Sequence, residues 1–286
     1  MERLTEPLHV NLLSAGVMLF GSFRTRVAHD LVVRPHNAYC ILRAADYART
    51  LGLSKVSLIE FGVASGAGLI NMARIAESVC RVTGVSFEIY GFDTGQGLPP
   101  PTDYRDHPDL YGMGDFPMDH AGLRQILPSH AHLVLGDVAE TLPKFMASLS
   151  AAAPIGYVVF DLDYYSSTRV ALQLLADADP TLYLPVTLTY FDDVCLDRHN
   201  SWCGELLAIR EFNDEHERRK IEPQMGLAES RIYRRAGWIR QVYSMHTLDH
   251  PARLRSSKGG ITRLQNPYLP PPRRPVRASS ADGAHG

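Results

Sequence analysis

Short apolar runs alternate along this chain with stretches whose apolar residues recur every three or four positions, a rhythm that predicts parallel strands wound with helices. The clearest instance begins at Val56. Val56, Leu58 and Ile59 suit a buried strand, and Leu69, Met72, Ala73, Ile75, Ala76 and Val79 then repeat at helical spacing. Between them Gly62, Gly66 and Gly68 let the backbone turn sharply and approach a ligand at a helix N-terminus. Upstream, residues 10–20 read as a helix or extended arm packed on the domain, and Asn37 as the cap of a helix carrying Ala38, Ile41, Leu42, Ala45 and Ala48. Downstream, strands are expected at 85–92, 132–135, 155–160 and 186–191, with a helix running on to Leu175. A further helix at 203–212 turns Leu206, Leu207, Ile209 and Phe212 inward and leaves Glu205, Arg210 and Glu211 on its polar side. Residues 231–245 suit antiparallel pairing at the end of the sheet.

These elements predict an α/β fold: a Rossmann-like, doubly wound, mostly parallel sheet with an antiparallel terminal strand. Residues 1–52 form an N-terminal arm and helical cap, and 53–250 the main domain. Residues 251–286 are a basic, Pro-rich tail, read as disordered around Pro270-Pro271-Pro272-Arg273-Arg274-Pro275. At 286 residues and 45% hydrophobic, the chain can bury a full core. A formal net charge of -2 gives no overall attraction to nucleic acid or acidic membrane, so neither is expected as a partner. Cys40, Cys80, Cys195 and Cys203 lack C-x-x-C or zinc spacing and read as free thiols of a cytoplasmic protein. The apolar segment 10–20 is too short to span a bilayer, and exposure at a homo-oligomer interface is its alternative use.

The candidate chemistry is carboxylate chemistry at strand ends. The glycine spacing lacks the G-x-G-x-x-G order of a dinucleotide site. Asp93 closes the second strand, about thirty residues past the glycine turn, near where such sheets place an acid on ribose hydroxyls. Asp161 and Asp163 end the fourth strand and Asp192-Asp193 the fifth; neighbouring parallel strand ends bring Asp161, Asp192 and Asp193 together. Three such carboxylates repel one another unless a hard cation such as Mg²⁺ removes the conflict. The Gly-, Pro- and aromatic-rich connection at 94–130 is long enough to be a lid or substrate loop, with Asp119 capping a short helix through Leu127.

With these pieces assembled, residues 56–194 resemble class I S-adenosylmethionine-dependent methyltransferases, and within them the macrocin and mycinamicin O-methyltransferase group. The likeness rests on Asp93-Thr94-Gly95-Gln96-Gly97-Leu98-Pro99, similar to D-T-F-x-G-L-P, on the D-x-D-x-Y-x-S-T pattern from Asp161 to Thr168, and on Asp192-Asp193. Gly95 stands where that group has an aromatic, and Pro180-Thr181-Leu182-Tyr183-Leu184-Pro185 replaces its P-G-G turn. The resemblance implies S-adenosyl-L-methionine as cofactor, held by Glu60, Gly62, Gly66, Gly68, Asp93 and Asp137, with Asp137 recognising the adenine amine. It further implies O-methylation of a small hydroxylated molecule or glycosyl group on Mg²⁺, with Asp161 as ligand and proton acceptor and His107, His120 or His199 as alternative bases. Two other readings compete: a metal-dependent glycosyltransferase using Asp161-Leu162-Asp163, and a noncatalytic cofactor-binding interaction protein.

Overall fold

The strand ends that carry the acids belong to one seven-stranded sheet. Its strands are β1 (Lys55–Phe61), β2 (Ser86–Asp93), β3 (Ala131–Leu135), β4 (Ile155–Phe160), β5 (Tyr183–Phe191), β6 (Arg219–Pro223) and β7 (Val242–Thr247). They lie in the order β3-β2-β1-β4-β5-β7-β6. The first five pair in parallel, and β7 runs antiparallel to both β5 and β6. The reversed strand therefore lies one place in from the edge, inserted between β5 and β6. This computed structural model describes residues 7–254; from Arg255 onward the tail expected at 251–286 lies outside the described residues.

The helices are α1 (Leu8–Phe20), α2 (Phe23–Ala28), α3 (Pro35–Thr50), α4 (Ala67–Thr83), α5 (His120–Ile126), α6 (Val138–Met146), α7 (Tyr165–Ala171), α8 (Gly204–Glu215) and α9 (Leu227–Ser230). Strand alternation divides the core between two layers. Val56 and Leu58 of β1, with Ile89, Tyr157 and Leu188, pack under α3 and α4. Ile59 and Phe61, with Val158, Phe160, Ile221 and Met245, pack under α6, α7 and α8. Helices on both faces of a parallel sheet are what the near-continuous apolar runs of β1 and β4 require.

Four local expectations change. Asn37 does not cap α3: Arg34 holds the cap position with φ 52°, Pro35 supplies the first turn, and Asn37 lies inside the helix, accepting from the Tyr157 hydroxyl (2.9 Å). Proline at the first helical position is pre-set in φ and has no N–H to leave unpaired, so it competes well with a polar cap. Strand β6 carries one buried aliphatic residue, Ile221, too little to signal a strand, and residues 231–241 are loop and a short 3₁₀ turn. Helix α1 buries only Ser14, whose hydroxyl meets His29 Nδ1 (2.9 Å) and the Tyr233 hydroxyl (2.5 Å), while Leu8, Leu12, Leu13, Leu19 and Phe20 stay exposed. Glu205, expected on the polar side of α8, is buried. No helix among the described residues is long and apolar enough to cross a membrane.

Candidate active site

At the C-terminal ends of the parallel strands lies a cavity of about 430 Å³. It opens where the strand order reverses between β1 and β4, the place where doubly wound sheets bind ligands. Its lining contains Gly62, Asp93, Asp137, Asp161, Asp192 and Asp193, and adds Ala64, Tyr111, Asp115, Phe116, Asp163 and Leu196. Glu60, Gly66 and Gly68 are not among its lining residues.

The glycine turn is built by close approach. A Cβ on Gly62 would lie 1.7 Å from the Asp161 carbonyl oxygen, so this glycine lets the ends of β1 and β4 meet. Gly66 has φ +83°, and its Cβ would strike Leu123 at 2.2 Å, so the space beside it is taken by α5. Asp93 staples the turn: Val63 N–H and Ala64 N–H donate to Oδ2 (2.9 and 2.8 Å), and Gly95 N–H donates to Oδ1 (2.6 Å). One lone pair of Oδ1 stays open for a ligand hydroxyl. Asp137 caps α6, accepting from Ala139 N–H at Oδ1 (2.8 Å), and also lines the cavity, so the cap leaves it at the cavity wall. Glu60 is buried against Gly68, and burial pushes its carboxyl up to about 8 although Arg34 favours the ionised form.

The end of the cavity fed by β4 and β5 is acidic. Asp161 is raised well above the usual carboxylate range by burial and then by Asp192, Asp193 and Asp163. Asp163, buried with φ 59°, is raised to about 7 by burial and then by Asp193. Burial, then Asp192, raises Asp193. Behind them Glu205 is raised well above its ordinary value by burial and then by Asp193. Among the described residues none of these five acids pairs with lysine or arginine.

Asp193 is held from three sides. Its N–H donates to Glu205 Oε2 (2.9 Å), its carbonyl is contacted by His199 Nδ1, and the Tyr111 hydroxyl donates to Oδ1 (3.0 Å). Its Oδ2 is buried without a hydrogen-bond partner. Asp192 Oδ1 accepts from the Tyr190 hydroxyl (3.0 Å) and Gln241 Nε2 (3.3 Å). An orphaned carboxylate oxygen among unneutralised acids fits a hard cation taking oxygen ligands. The side chains do not form a finished cage: among the described residues no three His, Cys, Asp or Glu are grouped to hold a metal. The donors at this end are all oxygens, the kind a hard cation takes, and Asp161, Asp192 and Asp193 are the residues that would offer them.

The three histidines weighed as bases separate. His120 Nε2 bonds the Gly95 carbonyl (2.9 Å) and fills the space an aromatic at position 95 would need. His107 is buried and stacks on His199 at 5.0 Å between ring centroids. Burial, then His199, holds the His107 imidazole below its ordinary range, so it is neutral near pH 7. Sequence reasoning missed Tyr111 as a contact of Asp193 and Glu205 as its support. Tyr111 was visible as one of several aromatics in the long connection, whereas nothing in the helical pattern around Glu205 marks it.

No family model and no curated protein matches the chain. Among solved structures it is similar to CalS11, a calicheamicin methyltransferase, at 20% identity and TM-score 0.51 over 84% of this chain and 92% of that one. An apo structure of CalS11, there described as TDP-rhamnose 3'-O-methyltransferase, aligns at 19% identity and TM-score 0.44 over 84% and 94%. The plantazolicin methyltransferase BpumL, in complex with a desmethylPZN analogue and SAH, aligns at 10% and TM-score 0.33 over 84% and 98%. The strand order, the single reversed strand and the CalS11 superposition together give this chain the class I methyltransferase fold.

Proposed function

We propose that the chain is an S-adenosylmethionine-dependent O-methyltransferase acting on a hydroxyl of a small molecule or glycosyl group. The observation that carries this reading is the single cavity wall joining the glycine turn, Asp93 and Asp137 to the acids of β4 and β5. On the first side, the remaining lone pair of Asp93 suits a ribose hydroxyl and Asp137 the adenine amine. On the second, Asp161 lines the same wall and is assigned here as the general base, taking the acceptor hydroxyl's proton once it is ionised. Bound Mg²⁺, held by Asp161, Asp192 and Asp193, would supply charge stabilisation to an acceptor oxygen. Tyr111, Phe116 and Leu196 would enclose the acceptor and exclude water. CalS11 carries the name of an enzyme acting on a nucleotide-linked sugar, which makes a glycosyl acceptor the first class to try.

The test is calorimetric titration with S-adenosylhomocysteine, followed by profiling of methylated products from a hydroxylated-compound library, with and without EDTA. Saturable binding and Mg²⁺-dependent O-methyl products are expected. Binding of a nucleotide sugar in place of S-adenosylhomocysteine would overturn the assignment in favour of glycosyl transfer.

A further inference from the structure

We infer that Tyr111 is a positioning residue: it latches residues 108–118 across the acceptor end of the cavity and, by occupying Oδ1 of Asp193, leaves the buried Oδ2 as the oxygen without a hydrogen-bond partner. The inference rests on the cavity reading proposed above. The long connection after β2 is not uniformly loose. Asp106, fully buried, accepts from Thr102 N–H (2.7 Å), the Thr102 hydroxyl (2.5 Å), Ser166 N–H (2.8 Å) and the Ser166 hydroxyl (3.0 Å), which pins the first half to the start of α7. At the far end, Asp119 caps α5 and His120 ties back to Gly95. Between these anchors residues 113–117 are all exposed, and among the described residues their backbone bonds are to Leu98, which pairs with Gly114 and Asp115 (2.8 Å each), and from Asp115 N–H to the neighbouring Gly112 carbonyl (3.2 Å).

Tyr111 is the side chain of this flap that reaches the acids. Its hydroxyl donates to Asp193 Oδ1 (3.0 Å) and lies 3.2 Å from His199 Nε2. Its ring meets Tyr164 and His199 edge-on at 6.3 and 6.0 Å. The flap thus closes onto the loop after β5 through the same phenol that fixes one oxygen of a cavity acid. A carboxylate rotates about its Cβ–Cγ bond unless one oxygen is held, so the Tyr111 bond sets where Oδ2 points.

The decisive comparison is wild type against Tyr111→Phe, which removes only the hydroxyl. Amide exchange of peptides covering 108–118, measured in EDTA, should quicken roughly three- to tenfold while β1 and β4 peptides stay unchanged. Magnesium affinity by calorimetry should fall roughly threefold or more. His199→Ala, which removes the phenol's second partner from outside the flap, should quicken the same peptides. Unchanged flap exchange in Tyr111→Phe overturns the latch. Faster exchange with unaltered Mg²⁺ affinity, or a wild type that binds no Mg²⁺, overturns the positioning of Asp193. A separate titration with S-adenosylhomocysteine judges the methyltransferase reading, and its failure leaves the exchange comparison intact.

Discussion

At the scale of single residues, the acids divide by what already holds their oxygens. Asp93 is tied by three backbone N–H groups, so Asp93→Ala should cost fold stability as well as cofactor affinity. Hydrogen bonds to a charged group contribute about 1.5–3 kcal/mol, and chemical unfolding beside a binding titration would separate the two losses. Asp193 keeps one oxygen unpartnered, so Asp193→Asn should leave S-adenosylhomocysteine binding close to wild type and lower methyl transfer by about a hundredfold. Equal loss of binding and turnover in that variant would argue that Asp193 serves the cofactor. These strand-end acids were legible in the sequence because a parallel sheet gathers its C-terminal ends whatever the loops do. Glu205 was not. A glutamate in the first turn of an amphipathic helix reads as solvent-facing, and only the docking of α8 beneath the Asp192-Asp193 turn brings its carboxylate to the Asp193 N–H.

Elements tell the same story through the glycine turn. The spacing identified the turn between β1 and α4 and the closeness it must permit, yet not what approaches each glycine. At Gly62 the neighbour is the Asp161 backbone; at Gly66 it is the Leu123 side chain. Gly66→Val should therefore act first by displacing α5, with a fall in stability of about 2 kcal/mol or more from the strained φ and the collision together. A folded Gly66→Val protein with full stability and selectively lost cofactor binding would restore the simpler view of a turn pressed against its ligand. Strong periodicity made β1, β2, β4 and β5 readable, and Asp119 as the cap of α5 was readable as well. Strand β6 was hidden because its pairing comes from β7 and not from its own composition, and the α3 start because Arg34 adopts a left-handed backbone that no local pattern announces.

For the whole molecule, the near-neutral formal charge of -2 conceals a concentration of acid that only the fold creates. Glu60 is raised to about 8 and Asp163 to about 7, and Asp161, Asp193 and Glu205 are raised as well, in each case by burial first. With folded values above unfolded ones, the native state binds more protons than the unfolded chain through this range. The associated stability is complete below the unfolded values near 4 and is lost as pH rises through 7 and 8. Without metal or cofactor, the protein should melt several degrees lower at pH 8.5 than at pH 6, at roughly 2–4 °C per kcal/mol. Glu60→Gln should flatten the upper part of that slope, since its amide has no proton to lose. A cation seated on Asp161, Asp192 and Asp193 favours their ionised forms, so Mg²⁺ should raise the melting temperature more at pH 8.5 than at pH 6. Thermal unfolding at both values, in EDTA and then in excess Mg²⁺, measures all three effects. A melting temperature that rises between pH 6 and 8.5 in EDTA would mean that these carboxylates are ionised and charge-compensated in the apo fold, with folded values below the unfolded ones.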